Sequence, residues 1–257
     1  MKTLNAKNIE SNELNRSLKT QPTLTKTLKV KVDVSKEKVE AFRELTARYK
    51  ETANFVSKWV FENDFPLNYA VISREICYEL RALFGLKSQL TQSTMRTVTG
   101  AYKTVQTQLA RKPYRYKDEN GVWQKIPRTL EWLQKPIQFK KPFADLVRNR
   151  DYSFVENGAY VSINTLSGRV RCTYDKSRVD EILAQGATLG GAKLLERRGK
   201  WYLHIAYEIP VPEELKASEV IHVVGIDRGI RNLAVAYDER GKTTFFDGKA
   251  IRAKREQ

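Results

Sequence analysis

A single period-two segment stands near the start of the chain, and nothing able to pair with it follows until after residue 112. Within Leu24–Val32 the residues Leu28, Val30 and Val32 fall on one side and Lys29 and Lys31 on the other, the pattern of a half-buried strand. From Ser35 to Arg111 the periodicity is helical, and short alternating runs return only after that block. A lone strand exposes unpaired backbone groups along both edges, so this one must find its partners far along the chain. The order strand, helical block, strands predicts an α+β fold in which a small β-barrel is split by a helical insertion.

Within the helical block, Ser35 is placed to cap a helix that has Glu37 in its first turn. Val39, Phe42, Leu45, Tyr49, Val56 and Val60 then share one face to about Asn63, and Pro66 breaks the run. A second helix covers Val71–Phe84 and a third covers Leu86–Arg111. The third has an apolar stripe of Leu90, Met95 (or Thr94), Val98, Ala101, Tyr102, Val105 and Leu109, while its other faces carry Ser88, Gln89, Thr91, Gln92, Ser93, Thr97 and Thr99. Short hydroxyls and amides suit either contact with base edges or close packing between helices, and the composition of the helix alone favours packing.

After residue 112 the pattern turns to strands and loops, with turn signals at Asn120-Gly121, Asn157-Gly158, Ser167-Gly168 and Gly190-Gly191. Trp201–Ile209 is the clearest strand and forms a hairpin with Ala192–Arg197 around Arg198-Gly199. Pro210–Glu219 reads as a linker. The run Val223-Val224-Gly225-Ile226 has the character of a strand buried on both faces, with further strands at Leu233–Tyr237 and Thr243–Phe246 and a basic stretch from Lys249 to Gln257.

Charge narrows the partners. The 257 residues hold 46 Lys+Arg against 30 Asp+Glu, a net charge of +16. Residues 101–150 hold 12 basic and 4 acidic side chains, half of the total surplus, and residues 201–250 hold 6 and 8. In the basic stretch Tyr114, Tyr116, Trp123, Trp132, Phe139 and Phe143 are interleaved with the cations. Cations pair with phosphates and aromatic faces stack on unpaired bases, a combination suited to RNA or single strands; a solubilising basic surface over buried aromatics has the same composition. No apolar run approaches the ~20 residues that cross a bilayer, and the first 22 residues are a polar tail without the apolar core of a secretory signal. The expectation is a soluble cytoplasmic protein with no membrane partner. Cys77 and Cys172 are the only cysteines, too few for a disulfide framework or a four-cysteine zinc site. His204 and His222 lack a third ligand nearby, Cys77 sits on an apolar helix face, and Gly190-Gly191 opens no helix and so makes no phosphate loop.

Asp227 is the sharpest candidate for chemistry. It ends a strand, with Gly229 two residues on. Judged alone, such an aspartate is first of all a turn former, and two-cation phosphodiester cleavage needs several carboxylates.

The segment VVGIDRGIRNLAVAYDERGK resembles the first RuvC segment of the TnpB (OrfB) family, the transposon-encoded RNA-guided DNA endonucleases related to type V CRISPR nucleases. LKSQLTQSTMRTVTGAYKTV is similar to that family's L-x-S-Q-x-x-Q helix, and GGAKLLERRGKWYLHIAYEIPVPEE to the hairpin and linker before its nuclease domain. The likeness runs over residues 23–257 and is most specific in the last third. After the disordered tail expected at 1–22 from its composition, the likeness implies the first strand of a wedge barrel at 23–35 and a helical recognition insertion at 36–115. The barrel remainder and linker then follow at 116–216, and the first strands of an incomplete RNase H-like (RuvC) domain at 217–257. It also implies guide RNA and target DNA as partners and a role in transposition. Asp227 matches the first catalytic, Mg2+-binding aspartate.

Lys87, Ser88, Gln89, Gln92, Ser93, Arg96, Lys103, Arg111, Lys112, Arg115, Lys140 and Lys141 are the residues expected to face nucleic acid. The family's catalytic Glu, its second Asp and a four-cysteine zinc element lie downstream of the first aspartate, and this sequence stops 30 residues after Asp227. The expectation is therefore that the chain alone does not cleave DNA, and that Mg2+ serves only a RuvC site completed by further residues or a second chain. The alternative is a non-cleaving nucleic-acid-binding or repressor module in which Asp227 is structural.

Overall fold

The computed structural model describes residues 23–211, 224–229 and 232–248. The tail, most of the linker, His222, Val223 and the terminal basic stretch lie outside them. The chain divides at Pro210 into two compact units.

In the first unit, β1 (Thr23–Asp33) leads into three helices, α1 (Lys36–Glu62), α2 (Tyr69–Phe84) and α3 (Ser88–Ala110). A ribbon of β2 (Tyr114–Lys117) and β3 (Trp123–Ile126) follows, then β4 (Ala144–Leu146), β5 (Tyr152–Val155), β6 (Tyr160–Thr165) and β7 (Gly168–Tyr174). The short helix α4 (Lys176–Ala184) and the hairpin β8 (Thr188–Arg197) and β9 (Lys200–Pro210) complete it. Seven strands form one antiparallel sheet in the order β4-β8-β9-β1-β7-β6-β5. As the alternation in β1 requires, Leu28, Val30 and Val32 are buried and Lys29 and Lys31 exposed. The partners are distant: β1 pairs with β9 from Thr23↔Pro210 to Val32↔Trp201, and with β7 at Val32↔Tyr174.

The two edge strands of this sheet, β4 and β5, are neighbours in sequence, and only residues 147–151 separate them. That short link forces the sheet to curl until its edges meet. Side chains and a single bridge close the seam. Arg148 pairs with Tyr152 in an isolated bridge, the Arg148 guanidinium donates to Leu189 O at 2.8 Å, and the Tyr152 hydroxyl donates to Gly190 O at 2.5 Å. The result is a nearly closed barrel. Gly190-Gly191, expected as a turn, instead lies inside β8 at a register shift between Leu189 and Ala192. A Cβ on Gly191 would stand 3.3 Å from Leu146 O, and one on Gly190 3.4 Å from Ala206 O. Glycine is used here for close strand approach.

Helix α1 serves two cores. Its Phe42, Leu45 and Tyr49 belong to the barrel core, with Phe42 edge-on to Trp201 at 5.2 Å. Its Ala53, Val56 and Val60 belong to a second, helical core with Ile72, Ile76, Met95, Val98 and Tyr102. Helix α3 repeats the arrangement, with Leu90 in the first core and Met95 onward in the second. Helix α2 ends at Gly85, whose φ of 65° supplies the left-handed residue common after a helix and whose N–H bonds Arg81 O.

Two differences from the sequence expectation have simple causes. Helix α4 interrupts a region read as strands and loops, because its nine residues bury only Val179 and Ile182, too few to set a period. The ribbon β2–β3 stands outside the barrel sheet, exposed at every residue.

The second unit is a three-stranded antiparallel sheet of β10 (Val224–Asp227), β11 (Asn232–Asp238) and β12 (Thr243–Asp247), in that order. The run expected to be buried on both faces is exposed instead where it is described: Val224 is 47% and Ile226 68% accessible.

Candidate nucleic-acid interface

The polar residues of α3 divide by direction. Inward, Tyr49 donates to Ser93 Oγ at 3.1 Å, Ser93 donates to Asp145 O at 2.9 Å, and Thr97 donates to Asp145 Oδ2 at 2.6 Å. Burial and the nearby Asp145 carboxylate push the Tyr49 hydroxyl well above the usual tyrosine range. Thr91, Thr94 and Thr99 return their hydroxyls to carbonyls of their own helix or its entry. Packing, the first reading of these short side chains, accounts for them. Ser93, expected to face nucleic acid, is 7% exposed with its hydroxyl committed to this network. The correction follows from β4, whose Asp145 offers that hydroxyl a partner at the α1–α3 junction.

The outward residues at the start of α3 are tied to the barrel. Lys87 donates to Asn164 Oδ1 at 2.6 Å and Arg150 donates to Gln89 Oε1 at 2.8 Å. Ser88 is exposed and Gln92 half-buried. Arg96 is exposed and lies over the Tyr69 ring at 4.7 Å.

Arg96 overlooks a cleft of about 510 Å³ lined also by Thr27, Asp145, Lys193, His204 and Ala206. Strand register sets its base: His204 on β9 and Lys193 on β8 line the cleft as direct neighbours, and Lys29 on β1 adjoins His204 on the next strand. The two lysines flank His204 from either side, so their charges oppose a proton on the ring as well as each other. Burial, then Lys29, Lys193 and Arg197, hold the His204 imidazole below its ordinary 6.5, and its Nε2 is buried without a hydrogen-bond partner. One carboxylate faces this row: Asp145, 3.6 Å from Lys193 and already accepting from Thr97. Lys29 lies over the Tyr202 ring at 4.1 Å. The cleft can accept an anion that relieves the repulsion.

Arg111 and Lys112 converge with Arg128 on a second hollow, of about 510 Å³, floored by Val105 and Leu109. Arg115 lies on the adjoining ribbon directly opposite Lys125. Lys103, Lys140 and Lys141 are exposed, and Lys141 shares a third depression with Arg43 and Arg198. The expected residues therefore fall on several surfaces. Sequence reasoning missed Lys29, Lys193, His204 and Arg128, of which the first three occupy the outward positions of strands already legible as strands.

Asp227 is exposed and in register with Val235, which in turn faces Phe245. Among the described residues no group of three or more His, Cys, Asp or Glu could hold a metal ion. A Mg2+ site for phosphodiester cleavage needs carboxylates on more than one strand, and the described residues do not fit it. No cleavage step follows from this arrangement. No helix of the described residues is long and apolar enough to cross a membrane.

No protein-family model matches the sequence, and no curated protein matches it. Solved structures to which the chain is similar include two cryo-EM complexes. A cryo-EM Cas12f1–sgRNA–target DNA complex has 9% identity and a TM-score of 0.39, over 90% of this chain and 67% of that one. A cryo-EM CRISPR-Cas12f ternary complex has 11% identity and a TM-score of 0.35, over 86% of this chain and 50% of that one. The chain thus spans half to two thirds of their length. At these values the likeness assigns neither a role nor a chemistry.

Proposed function

We propose that this chain is the nucleic-acid-binding part of a TnpB-like RNA-guided DNA endonuclease, gripping guide RNA and DNA next to the target. Cleavage belongs to a nuclease site that Asp227 enters only when further carboxylates and Mg2+ join it. The observation that carries the binding role is the meeting of Arg96 and Lys193 in one cleft, with Lys29 beside it across His204 and one engaged carboxylate, Asp145. Sequence support comes from the Asp227 segment and the two other stretches that resemble the family. The fit to RNA guidance is one of chemistry: in such systems base pairing selects the target while protein contacts read backbone and an adjacent motif.

The exposed place of Asp227 at the end of β10, in register with Val235, supports one second reading, a binder or repressor that never cuts and in which Asp227 is structural. The two separate on a single preparation. RNA recovered with the purified chain is a discrete structured species under the first reading; random RNA, or none, counts against RNA guidance. For the interface itself, Lys29→Ala, Arg96→Ala and Lys193→Ala each lower the slope of log K against log salt on duplex DNA, by about 0.9 for every phosphate that the variant leaves unneutralised. Slopes identical to the parent chain in all three variants would remove the cleft from the interface.

A further inference from the structure

The ribbon β2–β3 is difficult to explain as structure. An isolated two-stranded hairpin is marginal in water, yet this one carries large aromatics on its exposed surface, with Trp123 64% accessible. Arg115 faces Lys125 across its strands, a repulsive pair left without a carboxylate partner among the described residues. Its turn is firmly made, since Asp118 accepts from Asn120 N, Val122 N and the Gln124 amide. The ribbon is therefore a formed element awaiting something.

One face of the ribbon continues into the hollow at its base. Tyr114 and Tyr116 stack nearly parallel, at 18° and 6.3 Å, and Tyr114 meets the Trp132 ring at 5.8 Å. The Arg128 guanidinium lies over Trp132 at 5.4 Å, with its Nε buried and unpartnered. Arg128 then lines the hollow with Arg111 and Lys112. Flat π-faces thus run directly into three cations over an apolar floor.

That sequence of surfaces matches the chemistry of an unpaired polynucleotide, whose bases offer faces and whose backbone offers phosphates at each step. Duplex offers only the phosphates, because its bases are already stacked. Folded RNA is the persistent source of unpaired bases, in loops, bulges and ends. We infer that the β2–β3 ribbon and the hollow beneath it bind an unpaired segment of folded RNA. Bases stack on Tyr114, Tyr116 and Trp132, and phosphates are held by Arg111, Lys112 and Arg128. This rests on the nucleic-acid reading above but uses a surface separate from the cleft under Arg96.

The full chain is titrated, by fluorescence anisotropy, with labelled 12-nucleotide oligouridylate, the same length of oligothymidylate DNA, and a 12-base-pair RNA duplex. Tyr114→Leu keeps apolar bulk without a π-face, Trp132→Phe keeps a ring, and Arg128→Ala removes one cation. Circular dichroism melts check that each variant folds. Tyr114→Leu weakens oligouridylate binding by about 5- to 150-fold and leaves duplex affinity unchanged, while Trp132→Phe retains most of the single-strand affinity. Arg128→Ala reduces the salt slope on the single strand. Equal losses on single strand and duplex, or no loss with Tyr114→Leu, would sink the inference while leaving the cleft reading intact. Tighter binding of oligothymidylate than of oligouridylate would overturn the assignment to RNA. A parent chain that binds none of the three probes overturns both readings together.

Discussion

His204 is the residue most sensitive to what the cleft holds. Its ordinary value is 6.5, and burial together with Lys29, Lys193 and Arg197 depresses it. In the free protein the unfolded state takes up a proton at 6.5 that the folded state refuses, so stability is lost as pH falls below that value. A polyanion in the cleft reverses the electrostatics. It compensates Lys29 and Lys193, adds negative charge beside the ring and raises the imidazole value, so binding takes up a proton. Affinity for duplex is therefore expected to rise as pH falls from 7 towards 5, with Arg96 and Asp145 the other charged groups lining the site. His204→Gln flattens both profiles. A pH-independent affinity in the parent chain, corrected for folded fraction, would show that the anion does not sit beside this ring.

At the scale of elements, the barrel seam is the place where the fold is held by few bonds. The ladder between β1 and β9 runs for ten register pairs, whereas the edges meet through one bridge, Arg148 to Leu189 O and Tyr152 to Gly190 O. Tyr152→Phe removes one hydrogen bond and costs about 1 kcal/mol. Amide exchange measured by mass spectrometry accelerates at 144–155 and stays unchanged in the β1–β9 ladder; uniform acceleration would mean that the seam does not open separately. The seam also marks what the sequence conceals. Alternation made β1, β9 and their buried faces legible, and the one-face spacing of Phe42, Leu45 and Tyr49 made α1 legible, because both patterns are local. Gly190-Gly191 misled because a glycine pair signals a turn as readily as close strand approach, and only the position of Leu146 O decides. For the same reason Arg96 was visible as a charge on α3 while Lys29, Lys193 and His204 were not visible as a row: their register joins positions 29, 193 and 204, and no single stretch of sequence contains it.

On the scale of the whole molecule, charge and apolar surface are partitioned between the units. The basic surplus lies in the unit that ends at Pro210, with its peak in the end of α3, the ribbon and the loop before β4. The second unit is nearly neutral, with 9 Lys+Arg and 8 Asp+Glu over residues 211–257, and shows apolar side chains on both faces of its sheet, Ile226 on one and Phe245 on the other. Exposed strands of that kind favour self-association. Ile226→Lys combined with Phe245→Lys is expected to reduce concentration-dependent association in analytical ultracentrifugation while leaving nucleic-acid affinity unchanged. A parent chain that stays monomeric at high concentration would contradict this.

The long detour between β1 and its partners also sets a clock. Val32 pairs with Tyr174 and Trp201, so β1 leaves the ribosome with no mate until about 140 further residues have been synthesised. At ~5–20 residues per second the interval is roughly 10 to 30 s. During it the helical core around Val56, Ile76 and Met95 can assemble from adjacent segments alone, while Phe42, Leu45 and Tyr49 wait on the same helix with no barrel to bury them. Until β7 and β9 emerge, the nascent chain carries a sticky half-helix whose apolar face has no barrel to cover it.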